Sequence, residues 1–208
     1  FLLAMLVFGI GKAAIMPIHR WLPAAMVAPT PVSALLHAVA VVKAGVFSFL
    51  MVVLYIIGPE YLLQTRASNW LVWLSSFTIL AASIIAISKD DLKARLAYST
   101  ISQLSYIILG AALATSFALK GASFHIITHA IGKITLFFCA GAIYVTAHVK
   151  KISDLGGLGF KTPLIFFAYT LGALSIIGVP PLVGSWSKVF LVIGSLQADY
   201  LFVAVLLG

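Results

Sequence analysis

Residues 122–147 read ASFHIITHAIGKITLFFCAGAIYVTA. As a helix rising about 1.5 Å per residue, this run is long enough to cross the ~30 Å hydrocarbon core of a bilayer. Within it His125, His129 and Lys133 recur every four residues, so they stack on one helix face with a drift of about 40° per step. A lysine at the centre of a membrane helix costs ~2.5–3.5 kcal/mol on insertion scales. Imidazole is the side chain whose ordinary proton affinity lies nearest neutral pH. A single buried histidine is most often a hydrogen-bonding strut between helices. Three titratable groups on one face of one spanning helix point instead to protons passing through side chains and intervening water. A metal site on His125 and His129 is disfavoured, because no carboxylate or cysteine stands beside them and a lysine comes next in line.

The rest of the chain has the same character: 62% of residues are hydrophobic and 9% charged, with a mean hydropathy of +1.16. That is the composition of spanning helices rather than of a soluble domain. Three more lysines, Lys12, Lys43 and Lys188, lie inside or against apolar stretches. Lys43 follows Pro31 by 12 residues, about 18 Å along a helix, too far for its stem to reach either surface easily. Lys12 precedes Pro17 by five residues and can snorkel to the membrane surface. Lys188 follows the double proline Pro180-Pro181. His37 and Lys43 are six residues apart, about 240° around the helix, so they are expected to touch different neighbours. The acidic residues Glu60, Asp90, Asp91 and Asp154 fall in loops and Asp199 lies just past the sixth apolar span, so the lysines have no evident carboxylate partner within the chain. The net charge of +8 is divided between loops and helix interiors. No basic patch interleaved with aromatics appears on a polar segment, which sets nucleic acid aside.

The expected organisation is six spans: 1–16, 31–57, 70–88, 92–119, 122–147 and 163–197. Pro17 closes the first, since it lacks the backbone N–H a helix interior needs. Asp90 and Asp91 are expected to face the positive N-terminus of the next helix. Gly178, Pro180 and Pro181 interrupt the sixth span in mid-membrane, leaving carbonyls that lipid cannot satisfy, and helices broken in this way line ion sites in transporters. Basic residues after the odd-numbered spans are Arg20, Lys89, Lys93, Arg95, Lys150, Lys151 and Lys161, against only Arg66 and Lys120 after the even-numbered ones. By the positive-inside rule the first set faces the cytoplasm. No targeting signal is seen, and both ends sit in apolar runs. Residues 1–208 are therefore expected to be the interior of one transmembrane domain of a longer polypeptide.

Several stretches, in order along the chain, resemble the signature of a known family. They are Lys12-Ala-Ala-Ile-Met-Pro-Ile-His-Arg-Trp-Leu-Pro-Ala-Ala-Met-Val-Ala-Pro-Thr-Pro-Val-Ser-Ala-Leu-Leu-His37, the run from Asp91 to Tyr106, that from His125 to Phe137, and that from Gly178 to Lys188. They resemble the antiporter-like membrane subunits shared by Mrp-type multisubunit cation/proton antiporters and respiratory complex I. The resemblance covers nearly the whole chain. It implies an all-α, polytopic transmembrane bundle with broken helices, part of an inverted-repeat fold with a central row of lysines and histidines carrying protons. On that pattern Lys12 matches a key lysine paired with a glutamate on an earlier helix, Lys133 the bridging lysine of the row, and Lys188 the lysine near the second break. Val189 stands where many relatives carry an acidic residue, so no outlet carboxylate is assigned. Having both His37 and Lys43 is closer to the large Mrp-type subunits.

The expected function is therefore proton translocation along Lys12, His37, Lys43, His125, His129, Lys133 and Lys188, in an Mrp-type subunit exchanging protons for Na⁺ or another cation. One alternative is a proton-pumping subunit of a complex I-like quinone oxidoreductase or energy-converting hydrogenase; another is a scaffold whose polar residues only cement helix packing. The partners expected are other membrane subunits, protons, a cation and the lipid of a bacterial cytoplasmic membrane. No cofactor, metal or catalytic chemistry is expected in this chain, since it carries no redox cysteine cluster, dinucleotide loop or nucleophile elbow.

Overall fold

A computed structural model describes residues 2–36 and 40–207; His37 lies outside them. Along the chain run α1 (Leu2–Gly9), α2 (Trp21–Ala24), α3 (Thr30–Ala34), α4 (Val41–Val52), α5 (Pro59–Thr65), α6 (Asn69–Ser88), α7 (Leu92–Leu113), α8 (Ser116–Ala147), α9 (Leu158–Lys161), α10 (Pro163–Ile177), α11 (Val183–Gln197) and α12 (Leu201–Leu207). The fold is all-α. Among the described residues the only sheet-like pairing is an isolated bridge between Asp91 and Lys151.

The core is built around α7, which is buried continuously from Thr100 to Leu113. Leu71, Val72 and Ile79 of α6 pack with Ile101, Leu104 and Ile108 of α7. A second cluster joins Leu92 and Leu96 of α7 to Leu136, Phe137, Ala140 and Ile143 of α8. A helix buried on nearly every face must be enclosed by other helices or lipid. Here α6, α8, α4 and α11 surround it. Among the described residues α6, α7 and α8 are long and apolar enough to cross a membrane, and the bent pair formed by 41–57 and α5 makes a fourth if taken as one span.

The other expected spans are interrupted. The first was expected to run to Met16, but α1 stops at Gly9 and the chain enters a short 3₁₀ turn, Gly11–Ala13, that carries Lys12. Ala14 then takes a left-handed conformation (φ 54°) and the Met16–Pro17 peptide is cis. The helix thus fails several residues before the proline that was expected to end it. The indole N–H of Trp21 donates at 3.1 Å to the carbonyl of Gly11, which also accepts from the Ala14 N–H at 3.3 Å, and so ties α2 to the turn. The expected 31–57 span comprises α3, α4 and a π-helical turn, Val53–Ile57, and the chain then bends by 80° into α5. The expected 163–197 span is two helices: α10 ends at Ile177, Gly178 has φ 93°, Pro180–Pro181 is cis, and α11 begins at Val183.

The expected boundary between 92–119 and 122–147 is also displaced. The turn falls at Ala114 (φ 56°), and Thr115 caps α8 by accepting from the backbone N–H of Ala118 at 3.3 Å. Lys120 and Gly121, which had read as the turn, lie inside α8, where Gly121 allows Leu191 of α11 to approach closely. Asp91 caps α7, accepting from Ala94 N–H at 2.8 Å. Asp90, expected to do likewise, turns instead to another loop and accepts from the Ser153 N–H at 3.0 Å and hydroxyl at 2.9 Å. Two backbone bonds, Leu92 N–H to Lys150 C=O and Ile152 N–H to Asp90 C=O, complete this clamp. Lys93 reaches the carbonyl of Ala28 at 3.2 Å. The 17–30, 89–95 and 148–161 segments therefore meet at one end of the bundle.

Candidate functional site

The site is built on α8. His125, His129 and Lys133 are all buried, Lys133 completely, on the side of α8 that meets α7, α4 and α11. Lys43, also buried, enters from α4. Its ammonium nitrogen hydrogen-bonds His129 Nδ1. Helical spacing predicts that Lys43 and His37 touch different neighbours without naming either, and the neighbour of Lys43 is His129. One turn along α8, Lys133 Nζ donates to the backbone carbonyl of Leu96 at 3.1 Å, a carbonyl that also receives the Thr100 hydroxyl at 2.8 Å. This carbonyl, inside the α7 ladder, is the acceptor that the structure offers the buried amine in place of a carboxylate.

In the other direction the rings stack. His129 and His125 lie 5.9 Å apart between centroids, with planes inclined by 23°. His125 and Tyr106 of α7 follow at 5.6 Å and 24°. Lys188 Nζ sits 5.2 Å over the Tyr106 ring, a cation–π distance. His125 is held at both ring nitrogens: Nδ1 is 2.9 Å from Ser187 Oγ of α11, and Nε2 is 3.0 Å from Gln103 Oε1 of α7. His129 Nε2 is buried without a hydrogen-bond partner among the described residues. A buried polar atom of this kind calls for a water or a moving proton donor.

The structure therefore brings five of the seven sequence candidates into one row, in the order Lys133, Lys43, His129, His125, Lys188. Lys12 is not among them: its side chain is exposed in the described chain. Its backbone nevertheless abuts α4 beside Lys43, since a Cβ on Gly45 would lie 2.7 Å from Ala13 N and 2.8 Å from the Lys12 carbonyl carbon. Gln103, Tyr106 and Ser187 were missed. The available signal was weak: Thr100, Gln103 and Tyr106 fall three residues apart on a helix that also carries Ser99, Ser102 and Ser105, and Ser187 directly precedes Lys188. No group of three histidine, cysteine or carboxylate side chains is arranged to hold a metal ion among the described residues.

The chain matches, over residues 1–208, the family described as NADH:quinone oxidoreductase/Mrp antiporter, transmembrane. The chain belongs to that family. It is 40% identical over 207 residues to NADH-quinone oxidoreductase subunit N of Desulforudis audaxviator, a match covering 98% of this chain and 41% of the relative. It is 37% identical over 198 residues to NAD(P)H-quinone oxidoreductase chain 5 of a Synechocystis species, covering 90% of this chain and 28% of the relative. Among solved structures, that of the Mrp complex from a Dietzia species superimposes with a TM-score of 0.89 at 28% identity, covering 99% of this chain and 38% of that one. The archaeal membrane-bound sulfane sulfur reductase, a respiratory membrane complex, gives 0.87 at 28% identity, covering 99% and 42%. The chain thus spans less than half the length of these relatives. Its fold is the antiporter-like transmembrane bundle that they share.

Proposed function

We propose that this chain forms part of a proton-translocating, antiporter-like membrane subunit, in which protons pass along the row Lys133, Lys43–His129, His125 and Lys188. The observation that carries the reading is the buried Lys43–His129 hydrogen bond. An ammonium and a neutral imidazole, or a neutral amine and an imidazolium, are two states of one shared proton, and the bond provides the route between them. Tyr106 and His129 Nε2, which has no partner among the described residues, mark where ordered water would bridge the remaining gaps. Lys12, exposed in the described chain and abutting α4 at Gly45, is the entry candidate, with the glutamate implied by the family resemblance as its partner; His37 belongs to the same proposed path.

The kind of assembly is a finer question. The presence of both His37 and Lys43 in the sequence and the likeness to the Mrp complex favour a cation/proton antiporter exchanging Na⁺ or a similar ion. The names of the sequence relatives favour a quinone oxidoreductase subunit driven by redox chemistry elsewhere. In both cases the working partners are other membrane subunits and the lipid bilayer of a bacterial cytoplasmic membrane. The row is tested by Lys133→Ala in the assembled complex. The expected result is at least a tenfold loss of proton-coupled transport with assembly unchanged on native gels. Near-normal transport would leave only the scaffold reading.

A further inference from the structure

Ser187 stands at a junction of three parts of the molecule. It is completely buried, it lies in the first turns of α11 just after the Gly178–Pro181 break, and it immediately precedes Lys188. Its hydroxyl oxygen is 2.9 Å from His125 Nδ1 and also 2.9 Å from the carbonyl of Gly184. A hydroxyl carries one proton and two lone pairs, so it can donate to only one of these neighbours at a time.

Counting protons around His125 gives each arrangement a charge. Gln103 turns its oxygen toward Nε2, so Nε2 carries a hydrogen in both cases. When the imidazole is neutral, Nδ1 is a bare lone pair and must accept the Ser187 hydroxyl proton. When the imidazole is cationic, Nδ1 carries a proton of its own and donates it to the Ser187 oxygen. The hydroxyl proton then swings to Gly184 C=O. Rotation about a single C–O bond exchanges the two arrangements, no heavy atom moves, and every ring nitrogen keeps a partner. That matters because a buried unpaired donor or acceptor costs ~1–3 kcal/mol, and more when charged.

We propose that Ser187 is a positioning residue that keeps His125 hydrogen-bonded in both of its protonation states and so keeps the proton row passable at His125. The inference rests on the proton-transfer reading above. The step at His125 is one proton gained at Nδ1 while the Ser187 hydroxyl is turned to Gly184; the donor's bond to that proton breaks as the Nδ1–H bond forms, and the proton is later released to the next acceptor in the row. The same rotation ties the charge on His125 to the broken helix. Gly184, whose carbonyl receives the hydroxyl in the cationic state, is the point where α11 presses against α10: a Cβ there would lie 1.7 Å from the Ser175 oxygen. Lys188, whose stem passes over Gly178, is on the next turn. Charging His125 therefore adds a hydrogen bond to the helix start that carries the next lysine.

The test uses the full complex in sealed vesicles. Ser187→Ala, which removes the hydroxyl and adds no bulk, is expected to slow proton-coupled transport by tenfold or more while assembling normally. The ratio of transport rates in H₂O and D₂O is expected to rise, because the crippled proton transfer becomes rate-limiting. Ser187→Thr keeps the hydroxyl and is expected to transport within threefold of wild type with the ordinary isotope ratio. Near-normal transport in Ser187→Ala, a loss with an unchanged isotope ratio, or a Thr variant as slow as the Ala variant would each overturn the proposal. If Ser187→Ala does not assemble, Ser187→Cys is judged on the same criteria. Failure of the underlying relay shows separately, as normal transport in His125→Gln.

Discussion

Lys43 and His129 illustrate how much a single residue's meaning depends on its neighbour. From the sequence, Lys43 was a buried cation without a named contact, because helical spacing specifies which residues share a face but not which helix that face meets. The fold answers that with an imidazole. The five members of the row stand out in the sequence because each is an expensive group in an apolar run; Lys12 stands out equally yet is exposed, and His37 lies outside the described residues. Gln103 and Ser187 do not stand out, since neutral polar side chains are common inside membrane bundles and draw no attention until their partners are seen. Asp90 is a further case. It was expected to face a helix terminus, yet the Ser153 hydroxyl and N–H hold its carboxyl below the usual carboxylate range, helped by Lys151 and Arg95. A carboxylate whose folded value is depressed contributes stability above its unfolded pKa of about 3.9, and that contribution is lost as pH falls through the lower folded value. The difference in thermal stability between wild type and Asp90→Asn is therefore expected to be constant near neutrality and to shrink below about pH 4. A difference that does not vary with pH would mean that the charge of Asp90 plays no part in the clamp.

At the scale of elements, proline and glycine told where helices fail only approximately. The Gly178–Pro181 stretch coincides with the gap between α10 and α11. At the other break Pro17 was given too much weight, since α1 already ends at Gly9. Likewise Gly121 looked like a turn and is a packing contact within α8. At Gly121 tertiary contact decided: a glycine lets another backbone come near whether or not the chain turns there. Gly45 is the most consequential example, because α4 uses it to seat the turn bearing Lys12. A Cβ there would meet the backbone of residues 12 and 13, which cannot yield as a side chain can. Gly45→Ala is expected to destabilise the subunit by about 1–3 kcal/mol through overpacking. It should also reduce transport, because the displaced turn carries Lys12 with it. An unchanged melting temperature of the assembled complex would show that the two backbones do not approach this closely.

For the whole molecule, the all-α membrane class and the family were legible in the sequence, because composition and ordered motifs survive without any knowledge of contacts. The convergence of four helices on one row was not, since nothing in a linear pattern specifies that α4 and α11 close on the same side of α8. Orientation lies between these extremes. It rests on the asymmetry of loop charge, seven basic residues against two, and the structure adds that the basic segments meet at one end through the Asp90–Ser153 clamp and the Lys93–Ala28 bond. Arg66 and Asp199 both line a small polar pocket, beside the α7–α8 turn at Ala114. Loop charge and bundle geometry can be joined in one labelling experiment on intact cells, in a complex whose native thiols, Cys139 among them, are replaced by serine. Cysteine at Lys161 is expected to resist a membrane-impermeant maleimide until the cells are opened. Cysteine at Asp199 is expected to react from outside. Each reagent-accessible site then reports one end of the bundle, with no need for transport to be active. Labelling of both positions from outside would break the two-ended arrangement. Reversal of the pattern would keep the bundle and overturn the direction in which the proposed proton row faces the cell.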